Sequence, residues 1–346
     1  METLWFCLLA LMLATYVVLD GFDFGVGVLH LWVAKSEPER QQVLRSIGPV
    51  WDGNEVWLLA MAGTMFLAFP KLLATAFAGF YLPLMIVLWL LMFRALGIEL
   101  RHQLQDRLWA QFWDVAFSLS SLLLAVVIGA ALGNVVRGVS LAEDGTFFAS
   151  FWTDFRVSGE IGILDWFTIL YGITTAIALT HHGALWLAAR TDAEVLKRTT
   201  RAAQALWPVN ALLTVLVMAA TYVVQPNVVE SLQDRPWSLV FLFIAIAGLF
   251  GSRIYRIRQQ GHRAFIASCV FLYGMMASGA SWVFPFVLPG RDGSTGLTID
   301  EAASAAYGLK VALVWWVPGI LLVLCYTTFV YRTMPDQFSV HDTAEH

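Results

Sequence analysis

The sequence predicts an all-α integral membrane protein with nine transmembrane helices. Three observations lead there. Of 346 residues, 59% are hydrophobic and only 13% charged, against about half and about a quarter in a soluble domain. Nine apolar segments are long enough to cross a bilayer core of roughly 30 Å, which takes about 20 helical residues. Lysine and arginine are dense in one set of connecting loops and sparse in the alternate set.

In chain order the segments are 4–34, 49–69, 72–97, 112–136, 161–189, 203–224, 237–252, 264–288 and 305–331. The basic set of loops holds Lys35, Arg40 and Arg45, then Arg101 and Arg107, then Arg190, Lys197, Arg198 and Arg201, then Arg253, Arg256, Arg258 and Arg263, with Arg332 in the tail. The alternate set is poorer in cations and carries Glu143, Asp144, Asp154, Glu160, Glu230, Asp234, Asp292, Asp300 and Glu301. Positive loops stay in the cytoplasm. The N-terminus is therefore expected outside and the C-terminus in the cytoplasm. The start, Met-Glu-Thr-Leu-Trp, lacks a positive region and a cleavage site, and reads as the uncleaved beginning of the first helix. The longest loop, 137–160, reads as a small external cap. Short loops and an apolar chain point to one all-helical bundle, or two side by side.

Several function classes drop out. A net charge of −4 with no basic tract argues against nucleic acid. Cys7, Cys269 and Cys325 lie inside apolar segments without a metal-ligand spacing, so no disulfide and no metal site is expected. There is no phosphate-binding loop and no nucleophile elbow. His30, His181 and His182 fall near the inner ends of their helices and read as packing or interfacial residues. Adjacent His181 and His182 point about 100° apart on a helix and make a poor ligand pair. Asp114 and Asp165 read as interfacial.

The informative polar residues sit inside the first three segments. Asp20 and Asp23 are three apart and share a helix face. The second segment opens with SIGPVWDGNEVW at 46–57, which brings Asp52 and Glu55 onto one face of its first turns. Arg94 falls near the inner end of the third segment. Short connections put Asp23, Asp52, Glu55 and Arg94 in the same cytoplasmic half of three consecutive helices. An intramembrane charge costs about 2.5–3.5 kcal/mol or more unless paired or hydrated, and such residues mark ion pathways by default. A proton relay fits that arrangement. So does a static ion-pair lock in which Asp52 only caps its helix. Trp57, beside Glu55, is a candidate interior residue. A proton-coupled secondary transporter built on Asp23, Asp52 and Arg94 is the other reading the residues allow, although no internal repeat is visible.

The runs DGFDFGVG at 20–27 and IGPVWDGNEVW at 47–57, the pair Phe93-Arg94 and, less specifically, FPFVLP at 284–289 resemble subunit II of the cytochrome bd-type quinol oxidases. The resemblance implies a fold of two four-helix bundles plus one peripheral helix. On this chain it suggests a first bundle over 1–138, an external loop and peripheral helix over 139–202, a second bundle over 203–332, and a cytoplasmic tail over 333–346. It implies a partner, subunit I, which carries haem b and haem d, oxidises quinol and reduces oxygen. Small accessory subunits and membrane lipid complete the expected surroundings. Subunit II itself usually holds no haem, and some members hold a structural quinone. By motif, Asp23 and Asp52 belong to a cytoplasmic proton route toward the haem d site, lined by Glu55 and Arg94. Trp57 borders an oxygen or quinone-tail passage. The complex is expected in a bacterial or archaeal cell membrane, generating membrane potential without a dedicated pump. A haem-free structural scaffold keeps the same fold and turns the acids into ion-pair locks.

Overall fold

The computed structural model describes residues 1–142, 146–291 and 295–339. Glu143, Asp144 and Asp292 of the acidic loops, and the end of the tail with His341 and His346, lie outside the described residues.

Thirteen α-helices are present among the described residues. They are α1 (Glu2–Val33), α2 (Glu37–Arg45), α3 (Trp51–Ala68), α4 (Pro70–Gly79), α5 (Tyr81–Glu99), α6 (Arg107–Arg137), α7 (Trp166–Arg190), α8 (Ala193–Val224), α9 (Pro226–Asp234), α10 (Leu239–Ile257), α11 (Gly261–Val283), α12 (Ile299–Ala302) and α13 (Ala306–Thr333). Their starts are chemically marked. Asp106 accepts a bond from the Trp109 backbone N–H at 2.8 Å, and Asp165 accepts from Phe167 and Thr168 at the head of α7. Ser36 and Glu39 form a capping box on α2. Each device satisfies N–H groups that the first helical turn leaves without partners.

Seven helical segments are long and apolar enough to cross a membrane: α1, α6, α8, α11, α13, and α5 and α10 with their adjoining 3₁₀ turns. Helices α3 and α7 occupy the second and fifth predicted segments but fall short in apolarity. Two predicted segments end differently. Segment 72–97 is divided at Phe80 into α4 and α5, because Phe80 has left the helical backbone conformation. Segment 264–288 stops at Val283. Beyond it Phe286–Pro289 (β1) pairs antiparallel with Gly296–Thr298 (β2), so the fold is helical with one small hairpin rather than wholly α.

The packing has two parts. Helices α1, α3, α5 and α6 form one group; α7, α8, α10 and α11 form another. The groups join where α7 lies against α1 and α6. From Ala14 to His30 only Leu19 and Val28 of α1 escape burial, as expected for a helix enclosed on all sides. The α1–α7 contact is backbone on backbone. A methyl at Gly25 would run into the Leu179 carbonyl and Gly183, and one at Gly183 would meet Gly25 and Val26. Small residues permit such approach where no water drives helices together.

Helix α7 is buried without a break from Ala178 to Leu187 and packs on α1, α6, α8 and α11. The outlying helix is α13, which buries only Leu309 and Ala312 and rests on α3. At the basic end of the molecule α2 lies beneath the bundle. Arg198 of α8 clamps Glu39 with two bonds of 2.7 and 3.0 Å. That hydrogen-bonded guanidinium holds the Glu39 carboxyl down to about 2.

Candidate functional site

Arg94 is the hub of the polar residues in the first group of helices. It lies five residues before the end of α5, about 7.5 Å along the axis, and is fully buried. One terminal nitrogen donates to Asp20 of α1 and the other donates to Glu55 Oε2 of α3 at 2.7 Å. The guanidinium also lies 4.7 Å from the Phe24 ring centroid. Three helices are thus tied through one side chain.

Asp23 belongs to the same cluster by a second connection. Its Oδ2 accepts from Asn54 Nδ2 at 2.8 Å, and Asn54 Oδ1 accepts from the Tyr331 hydroxyl of α13 at 2.9 Å. Asp20, Asp23 and Asn54 are all buried to 1% exposure or less. Asp20 Oδ2, Asp23 Oδ1 and Arg94 Nε have no hydrogen-bond partner among the described residues. The Tyr16 hydroxyl, also on α1 and buried, has no hydrogen-bond partner among the described residues. Three carboxyls face one guanidinium. Their charges balance within the cluster only when two of the carboxyls carry protons. Buried polar atoms without partners are rare and mark unseen water or chemistry.

Of the residues singled out from sequence, the structure brings Asp23, Glu55 and Arg94 together. Asp52 is not among them. It lies on the exposed face of α3 and makes no side-chain hydrogen bond or ion pair among the described residues. Asp52 and Glu55 are one turn apart, but the bundle covers only the Glu55 side. The Glu55 side chain is 24% exposed, so it alone links the surface to Arg94. Trp57 is buried in the core beside Tyr16 and Phe24, with its indole N–H unpartnered.

Sequence reasoning noted Asp20 on the face of Asp23 without placing it in the cluster, and left out Asn54 and Tyr331. The signal for Asp20 was available: it shares a face with Asp23, and Arg94 needs a buried counter-charge. Asn54 stood inside the motif. Nothing local marked Tyr331, which arrives from the far end of the chain.

A second buried cluster sits toward the basic end. Asp114 of α6 is 1% exposed rather than interfacial. It accepts from His30 Nε2 at 2.7 Å, Arg40 Nη1 at 2.7 Å and Arg101 Nε at 2.6 Å. Arg101 also forks onto Glu37 at 2.7 and 2.8 Å, joining α2 to the bundle. The saturated donors around Asp114 make this a clamp. At the opposite end Asp165 pairs with buried Arg137 while capping α7. His182 engages both ring nitrogens, one with Ser268 Oγ at 2.6 Å and one with the Val18 carbonyl at 3.0 Å, and so does not fit a haem ligand. Among the described residues no three His, Cys, Asp or Glu side chains converge as a metal site.

Comparison with known proteins decides the family. The profile of cytochrome bd terminal oxidase subunit II matches residues 1–334. The chain belongs to that family. It is 28% identical to cytochrome bd-I ubiquinol oxidase subunit 2 of Escherichia coli (strain K12), over 98% of this chain and 95% of that one. It is 30% identical to cytochrome bd ubiquinol oxidase subunit 2 of Bacillus subtilis (strain 168), over 96% of each. The structure of bd oxidase from Geobacillus thermodenitrificans contains a chain of the same fold, with a TM-score of 0.73 and 17% identity over 96% of this chain and 97% of that one. As a subunit II, the chain is a multi-pass membrane component of a respiratory quinol oxidase, which implies a subunit I partner. Family membership replaces the transporter reading. The named relatives are bacterial.

Proposed function

We propose that subunit II conducts protons from the cytoplasm toward the oxygen-reduction site of subunit I through the buried cluster of Asp20, Asp23, Glu55 and Arg94. The observation that carries this reading is the pair of carboxyls on α1. Both are enclosed, and each keeps one oxygen free of protein donors. A lock needs its acceptors saturated, as Asp114 has them; a relay needs free lone pairs for water and moving protons. Glu55 is the member that reaches the surface. Asp52, one turn away at about 4.5 Å of rise, serves as the mouth that collects protons before Glu55. Trp57 walls the interior side and borders an apolar passage for oxygen or a quinone tail.

The wider reading follows from the charges. Nine crossings, by α1, α3, the α4–α5 pair, α6, α7, α8, α10, α11 and α13, put the N-terminus outside and the basic loops and the C-terminus in the cytoplasm. The packing of α3 and α7 among apolar helices supports their inclusion. Haem b and haem d belong to subunit I, and subunit II contributes support and the proton path without a redox centre of its own. A structural quinone in this chain, and small accessory subunits beside it, extend the same assembly. Protons consumed on the cytoplasmic side generate membrane potential without a dedicated pump. The place of action is the bacterial cell membrane.

The test is Asp23→Asn against Asp23→Glu in the assembled oxidase. Quinol-driven oxygen consumption falls tenfold or more in the amide variant, within the range a positioned proton-transfer group contributes, with haem content unchanged. The glutamate variant keeps much of the rate. Equal rates in both variants return the cluster to the role of a lock.

A further inference from the structure

We propose that a groove at the end of the molecule where α1 begins holds one glycerophospholipid, with an acyl chain against α1 and α11 and its phosphate on Arg235. This goes beyond the proton-path reading and does not depend on it. The cavity measures about 310 Å³ and runs between α1 and the α10–α11 pair. Along α1 its wall extends from Thr3 to Ala14, eleven rises or about 16 Å of helix. That is half of a hydrocarbon core of roughly 30 Å, the depth of one leaflet and hence of one acyl chain. The walls are apolar: Phe6, Ala10, Phe241 and Ala277 are typical. The polar groups near its deep end are satisfied by each other, since the Tyr273 hydroxyl donates to Thr15 at 3.0 Å.

The rim supplies the headgroup chemistry. Arg235 lines the groove at the turn between α9 and α10. It is fixed by bonds from Nη2 to the Phe284 carbonyl at 2.6 Å and to Ser231 Oγ at 3.1 Å, and its guanidinium lies 5.0 Å from the Phe284 ring centroid. It forms no ion pair among the described residues. The neighbouring acid, Asp234, is exposed and does not pair with it. A guanidinium held in place by neutral acceptors, at the mouth of an apolar groove, offers its remaining donors to an anion. Phosphate matches its fork of donors. A neutral quinone head offers no such charge. Trp237, 62% exposed on the same rim, fits an aromatic residue at headgroup level.

The test is native mass spectrometry of the purified two-subunit oxidase, stripped with detergent and then incubated with phosphatidylglycerol or with ubiquinone. The wild-type complex retains one phosphatidylglycerol. Arg235→Gln lowers retention about tenfold, the scale of one charge-assisted hydrogen bond. Arg235→Lys, which keeps the charge but not the fork, falls between wild type and the Gln variant, and Ala277→Leu, which fills the groove, lowers retention with haem content intact. Equal retention in the Gln, Lys and wild-type complexes overturns the assignment. So does retention of ubiquinone in place of the phospholipid, or of neither.

Discussion

Arg94→Gln removes the cation that Asp20 and Glu55 share. Asp20 and Arg94 are fully buried, whereas the Glu55 side chain is 24% exposed. Leaving an uncompensated buried charge costs about 3–5 kcal/mol. Glu55 can turn to solvent and adds at most about 1 kcal/mol. The single variant should therefore lose about 3–5 kcal/mol. Asp20→Asn alone leaves Arg94 with Glu55 and should lose about 1–3 kcal/mol. In the double variant the Asp20 position no longer leaves a buried charge without its cation. Its loss should fall below the sum of the singles by about 2–3 kcal/mol, the upper part of the range for residues in contact. Guanidinium titrations of the purified complex, followed by tryptophan fluorescence, complete the cycle. Additivity within about 0.5 kcal/mol would show that the two groups do not depend on each other and would refute the reasoning.

Other outcomes follow from the same contacts. Asp52→Asn should leave stability within about 0.5 kcal/mol of wild type, because an exposed side chain without a protein partner has little to lose; the same titration checks it. Gly183→Ala forces α1 and α7 apart at Gly25 and should destabilise by about 1–3 kcal/mol or more, read as lost yield of assembled complex. The Glu39–Arg198 tie depends on pH. Its carboxyl is depressed from 4.5 to about 2, so its stabilisation is fully present above pH 4.5 and is lost as pH falls toward 2. Hydrogen exchange in α2 should rise across that window, and Arg198→Gln should raise it already at neutral pH.

Apolar segments above about 20 residues identified the helices because length and hydropathy are local properties. Polarity within two helices weakens that signal: in α3 Asn54 and Thr64 are buried, and in α7 Thr174, Thr180, His181 and His182 are buried. Lowered apolarity there accompanies enclosure by protein. The break at Phe80 and the hairpin after Val283 carried no signal in hydropathy, since phenylalanine and valine serve helix and strand alike.

The site was partly legible. Arg94 in an apolar segment demands acids, and the motifs supplied them. The structure adds Asp20 to the cluster and leaves Asp52 on the exposed face of α3. Helix spacing puts Asp52 and Glu55 near one face, but the face that meets α1 begins between them, and only packing reveals that edge. The pairing of His30 with Asp114 was not visible for a similar reason: His30, Arg40 and Arg101, which all bond Asp114, lie on separate elements, so no spacing in the sequence joins them.

Time-resolved proton uptake from the cytoplasmic side during oxygen reduction bears most directly on the buried carboxyls. In Asp23→Asn, with subunit I and its haems intact, electrons should still reach the haems at the wild-type rate while proton uptake slows tenfold or more. Uptake in step with wild type would mean that protons reach oxygen by a path that does not pass through α1.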